Sequence, residues 1–146
     1  AYLNKMMNKI VPNISNAGIQ VIWQTGELEY NQYKMMNSDK VRIVPFVNNM
    51  DDAYAVSDLL ICRSGALTLA EITVCGKPSL LVTFPHAAGN HQTKNAKYLY
   101  DLEAAELIHE NEIDYKLKNV INKIPHEITN LQYLLIETIK VKSNIV

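Results

Sequence analysis

Leu59-Leu60-Ile61-Cys62-Arg63-Ser64-Gly65-Ala66-Leu67-Thr68-Leu69-Ala70-Glu71 is the stretch whose reading decides the fold. Its opening run is apolar without alternation, as a parallel strand covered on both faces requires. Arg63-Ser64-Gly65 breaks the run, and residues 66–75 then read as a helix, stopped by Gly76 with Pro78 just beyond. A strand that passes through a short turn into a helix is the first half of a βαβ unit.

The same alternation extends outward in both directions. Upstream, residues 41–44 form a strand closed by Pro45, and 50–56 a short helix with Asn48 or Asn49 as N-cap. Residues 19–23 form another strand after the turn residues Asn16 and Gly18, and 27–36 a helix after Gly26. Residues 2–11 carry Leu3, Met6, Met7 and Ile10 at helical spacing. Downstream come a strand at 79–83, a helix at 90–102 and a short strand at 105–108. Helices near 113–123 and 127–141, separated by Pro125, are expected to close the chain. The pattern predicts one α/β domain over residues 1–146, a doubly wound, Rossmann-like parallel sheet, with the tail after about 125 least clearly placed. Ligands of such sheets sit at the carboxyl ends of the strands. The loops of interest are therefore 24–27, 45–50, 63–66 and 84–91.

Composition bounds the function. The 146 residues carry 14 Lys+Arg against 15 Asp+Glu, a net charge of −1, and 48% are hydrophobic. That length suits a single domain with a sizeable core. The balanced charge argues against a nucleic-acid binder, which needs clustered basic residues to neutralise phosphates. The apolar content argues against disorder. No apolar run approaches the roughly 18 residues of a membrane span. No signal peptide is visible, and the polar, helix-like start at Ala1-Tyr2-Leu3-Asn4-Lys5 suggests a fragment. Cys62 and Cys75 form no CxxC pair and, in apolar surroundings, are expected to be buried free thiols of a reducing compartment.

Two loops carry chemistry. In Arg63-Ser64-Gly65-Ala66-Leu67-Thr68, Ser64 is placed to cap the helix and Gly65 to let the backbone approach a ligand. The free N–H groups and positive dipole end of a first helical turn favour a phosphate. Glu71, one to two turns further on, is spaced to accept hydrogen bonds from a ribose diol. The plainer alternative is an ordinary cap followed by a solvated Glu. The GxxxxGK[ST] spacing of a P-loop is absent.

The second loop, Phe84 to Gln92, has small residues at 87–89 and then crowds Asn90, His91, Gln92 and Asn95 at a helix start. Carboxamides both donate and accept, which suits sugar hydroxyls. The plainer alternative is an N-cap at Asn90 with the rest in solvent. His86 and His91 lack the helical i, i+4 spacing of a zinc pair, and no metal is expected. Gln24-Thr25-Gly26 and Phe46-Val47-Asn48 complete the edge, the latter as an apolar wall for a flat base. No nucleophilic triad can be assembled, and His109 and His126 are read as surface residues.

Cys62-Arg63-Ser64-Gly65-Ala66-Leu67-Thr68-Leu69-Ala70-Glu71-Ile72 closely resembles the signature of the MurG family of bacterial GlcNAc transferases. The likeness extends to Gln24-Thr25-Gly26, with Thr for the family's Ser, and to Phe46-Val47-Asn48-Asn49-Met50 followed by Tyr54 and Asp58. It continues through Gly76-Lys77-Pro78-Ser79 and His91-Gln92-Thr93-Lys94-Asn95-Ala96, spanning residues 2–124.

The resemblance implies the C-terminal, donor-binding half of a two-domain GT-B glycosyltransferase. Its implied donor is UDP-GlcNAc, its acceptor lipid I on the N-terminal domain, and its product lipid II of peptidoglycan. By this resemblance the main chain of Ser64, Gly65, Ala66, Leu67 and Thr68, with Arg63, surrounds the diphosphate, and Glu71 takes the ribose hydroxyls. Val47 lies beside uracil and contacts it through its backbone, Thr25 reaches the phosphate region, and His91, Gln92 and Asn95 line the GlcNAc ring.

The implied displacement inverts the anomeric centre, with its base on the N-terminal domain, so catalytic residues are not expected in this chain. No cofactor or metal is implied, and the chain has no Asp-x-Asp pair, Asp51 and Asp52 being adjacent. Membrane contact at the cytoplasmic face of the inner membrane is implied for the other domain. The alternatives are a GT-B transferase for another UDP-sugar, or a non-catalytic donor-binding subunit of a split glycosyltransferase.

Three departures stand out. The family's Gly-Gly-Ser-x-Gly-Ala segment, ahead of the helix matching 2–10, has no counterpart, so the sheet is expected to lack that first strand. His91 stands where many members have Gln, and the tail beyond Pro125 does not match.

Overall fold

The computed structural model describes residues 2–83, 91–109, 112, 115, 116, 119 and 133–137. The elements in chain order are α1 (Tyr2–Asn16), β1 (Gln20–Gln24), α2 (Glu27–Tyr33) and β2 (Val41–Val44), followed by α3 (Met50–Val56) and β3 (Leu59–Arg63). Then come α4 (Ala66–Cys75), β4 (Ser79–Thr83), α5 (His91–Asp101), β5 (Glu106–His109) and β6 (Tyr133–Glu137). The strands form one six-stranded sheet in the order β2-β1-β6-β3-β4-β5, and every pairing is parallel.

Alternation along β3 shows why its sequence is apolar throughout. Leu59 and Ile61 join a core with Leu3, Met7 and Val11 of α1 and Tyr33 of α2. Leu60 and Cys62 join a second core with Tyr54 of α3, Leu69 and Ile72 of α4, and Ala96 and Leu99 of α5. Helices therefore cover both faces, the doubly wound arrangement that the alternating sequence predicts.

Local signals set several boundaries. The Asn49 side chain accepts the Asp52 N–H and caps α3, while Asn48 does not. Gly76 ends α4 in the left-handed region, at φ 60°. The first helix runs on through Pro12 to Asn16. Proline removes one intrahelical hydrogen bond, but Val11 and Ile14 on either side of it are buried and hold the turn in place.

The tail corrects the expected helix at 127–141, because residues 133–137 are a strand. Tyr133-Leu134-Leu135-Ile136-Glu137 lies in the middle of the sheet, with Leu134 opposite Val21 on one side and Leu59 on the other. A short apolar run is ambiguous between a buried helix and a buried strand. Two neighbouring strands with unpaired edges decide it here, by satisfying the backbone on both sides. The place between β1 and β3 is thus filled from the C-terminal side. Of the expected helix at 113–123, Tyr115, Lys116 and Asn119 are helical, and the rest lies outside the described residues.

Cys62 is buried as expected, but Cys75 is exposed. It occupies the last residue of α4.

Candidate functional site

The carboxyl ends of β1, β2 and β3 bring the predicted loops 24–27, 45–50 and 63–66 to one edge of the parallel sheet. At the centre is the start of α4. Gly65, not Ser64, is its N-cap, and no side chain caps it. Gly65 has ordinary extended geometry, with φ −68°. A Cβ there would meet only Thr68 Oγ1, at 3.9 Å, so the fold itself does not demand glycine. What glycine leaves is open space against the N–H groups of Ala66, Leu67 and Thr68, which have no partner within the helix. Ser64, one residue before the cap, is fully buried, and among the described residues its hydroxyl has no hydrogen-bond partner. A buried hydroxyl without a partner carries a desolvation cost, and an anion at the helix N-terminus would relieve it.

Glu71 projects from α4 roughly 7.5 Å along the axis from Ala66, at ~1.5 Å per residue. The Tyr54 hydroxyl donates to Glu71 Oε2 at 2.8 Å. Both residues line a shallow pocket of about 300 Å³ between α3 and α4, together with Met50, Asp51 and Ala70.

The apolar wall expected for a base is held from β1. Gln24 is fully buried, and its Oε1 accepts the Val47 N–H at 2.7 Å. A main-chain contact from Val47 to a base therefore falls to its carbonyl. Phe46, Val47, Asn48 and Asn49 line a cavity of about 510 Å³ that continues over Ile22 and Val44. Thr25 is buried, and its hydroxyl donates within the loop, toward the carbonyls of Gly26 at 3.2 Å and Val44 at 3.4 Å. Its proton is thereby engaged by the main chain. Asn4 of α1 braces the same loop. Its Nδ2 donates to the Thr25 carbonyl at 2.9 Å and to Glu29, and its Oδ1 accepts from Trp23 Nε1 at 3.0 Å.

On the far side, α5 begins at His91. His91 is exposed and Asn95 half-buried, one turn apart on that helix, with Gln92 between them in its first turn. The loop 84–90, with His86 and Asn90, and His126 of the tail lie outside the described residues. His109, expected at the surface, is half-buried. It sits at the end of β5 with its Nδ1 2.7 Å from Thr83 Oγ1.

Three supports escaped the sequence reading: Gln24 as the anchor of the base wall, Tyr54 as the partner of Glu71, and Asn4 beneath Thr25. What the three share is a side chain with a polar group that the structure buries. Such a group needs a partner once buried.

The larger cavity, about 850 Å³, runs along the outer edge of β2 past Gln20, Lys40 and Arg42. It lies away from the α4 N-terminus and brings together none of the predicted site residues.

Comparisons with known proteins give the chain its relatives. A UDP-N-acetylglucosamine–N-acetylmuramyl-(pentapeptide) pyrophosphoryl-undecaprenol N-acetylglucosamine transferase from Cytophaga hutchinsonii is 40% identical over 106 residues, 73% of this chain and 29% of that protein. Its counterpart from Chlorobium phaeobacteroides is 48% identical over 94 residues, 63% of this chain and 26% of that protein. The chain thus spans less than a third of either relative's length. The crystal structure of Acinetobacter baumannii MurG superposes with a TM-score of 0.68 at 29% identity, covering 86% of this chain and 38% of that one. The family model of the glycosyltransferase family 28 C-terminal domain matches residues 1–142, and the chain belongs to that family.

Proposed function

We propose that this domain binds UDP-GlcNAc and presents its sugar for transfer to a lipid-linked muramyl-pentapeptide, the reaction named for its relatives. The observation that carries the reading is the buried Ser64 hydroxyl, without a hydrogen-bond partner among the described residues, at the N-terminus of α4, where no side chain caps the helix, with Glu71 one to two turns further along that helix. The N–H groups of Ala66, Leu67 and Thr68 hold the diphosphate, and the Glu71 carboxylate accepts the ribose diol. The Val47 carbonyl accepts from uracil, and His91, Gln92 and Asn95 meet the sugar hydroxyls. Arg63, at the end of β3, adds positive charge beside the phosphates.

Transfer with inversion requires a base on the acceptor hydroxyl and stabilisation of the negative charge that develops on departing UDP. The α4 terminus supplies the second element. Its fixed donors need no reorganisation as the charge grows. The base and the lipid I site belong to a second domain, which also makes the membrane contact. Among the described residues of this chain, no helix is long and apolar enough to cross a membrane. By itself the chain binds donor weakly and does not turn over.

Calorimetric titration of UDP-GlcNAc into this chain, with Glu71→Ala and Gln92→Ala alongside, tests the assignment. Saturable binding weakened by both substitutions is expected, with UDP-glucose a poorer competitor. Binding unaffected by either substitution would contradict it. UDP-glucose competing equally well would point to a transferase for a different UDP-sugar.

A further inference from the structure

We propose that Tyr54 is a positioning residue for the ribose clamp, fixing the plane of the Glu71 carboxylate before nucleotide arrives. The proposal rests on the reading of Glu71 as the ribose acceptor and adds the group that makes it selective. A Glu side chain on a helix surface rotates about several bonds, and a cis diol is gripped by two oxygens only when the carboxylate plane faces it. Tyr54 removes that freedom. Its ring is 4% exposed and packs in the core that also holds Leu60, Cys62, Leu69 and Ile72. The phenol oxygen is therefore placed by the core rather than by the ligand. From there it donates to Glu71 Oε2 at 2.8 Å. A carboxylate has about four acceptor sites, so this bond occupies one and leaves the others for the diol. The two residues come from different helices and line one pocket, so the distance between α3 and α4 sets the geometry of the clamp.

Binding of UDP and of 2′,3′-dideoxy-UDP by wild type, Tyr54→Phe, Glu71→Gln and the double variant tests this, with thermal unfolding as a control for folding. Tyr54→Phe keeps the ring and removes only the hydroxyl. It is expected to weaken UDP by about three- to tenfold, the value of one hydrogen bond, and to leave dideoxy-UDP unchanged. In the Glu71→Gln background it is expected to change neither ligand. Equal weakening of both nucleotides by Tyr54→Phe would reduce Tyr54 to a packing residue and overturn the proposal. So would a Tyr54→Phe protein that keeps wild-type discrimination while Glu71→Gln loses it. Unchanged discrimination in Glu71→Gln itself would instead remove the ribose clamp, and the role of Tyr54 with it.

Discussion

Gln24 at the end of β1 accepts the main-chain N–H of Val47 at 2.7 Å, and through this bond a buried strand residue holds the wall on which a base would lie. Gln24→Ala leaves the half-buried Val47 N–H without its acceptor. A loss of about 1–3 kcal/mol in urea-unfolding stability follows, with weaker UDP binding. Unchanged stability would show that the bond is dispensable.

The same bond predicts base selectivity. With its N–H engaged, Val47 offers a carbonyl, which accepts the N3–H of uracil but faces a lone pair on N3 of cytosine. UDP should therefore bind at least about tenfold more tightly than CDP in parallel titrations, as expected for a lost and repelled hydrogen bond. Equal affinities would exclude this contact.

Gly65 and Ser64 separate folding from binding. The space around Gly65 admits a Cβ, and the Ser64 hydroxyl has no partner to lose among the described residues. Gly65→Ala and Ser64→Ala should both unfold within about 1 kcal/mol of wild type, as substitutions that break no native contact usually do. Both should still weaken UDP, by about three- to tenfold for the lost serine hydrogen bond. A large destabilisation in either variant would assign the loop a purely structural role.

The strand from the tail makes a prediction about stability. Ile136 is fully buried in the middle of the sheet, between Trp23 and Ile61 in register. Ile136→Ala should cost about 2–5 kcal/mol, and the 134–137 amides should exchange only by global unfolding. A cost below about 1 kcal/mol, the range of surface substitutions, would mean that the tail lies outside the core.

Tyr33 sets an alkaline limit. Its ring stacks at a tilt on Trp23, centroids 5.1 Å apart, and burial raises its phenol pKa. The unfolded chain therefore ionises this group first, near pH 10. Stability should hold below that pH and fall as pH rises through the window up to the folded pKa. Tyr33→Phe should flatten this decline in unfolding measured between neutral pH and pH 11. An unchanged slope would show that other groups govern it.

The elements legible in the sequence were those with local causes. Asn49 caps α3 and Gly76 stops α4 through bonds that reach only a few residues. The unbroken apolar run of β3 announced burial on both faces. The features that were missed depend on distant partners. Nothing near Tyr133–Glu137 says that β1 and β3 leave a place between them. Nothing near His109 shows Thr83 across the strand pair. The spacing of Ser64, just ahead of α4, and Glu71 on it was visible, while Tyr54 and Gln24 acquire their roles only when other elements fold against them.

Amide chemical-shift mapping of this chain titrated with UDP tests the central claim most directly, that the N-terminus of α4 holds the diphosphate. The largest shifts should fall on Gly65, Ala66, Leu67 and Thr68, with a second group at Val47. Shifts confined to the β2 cavity, at Gln20, Lys40 and Val41, or none at saturating UDP, would contradict the account.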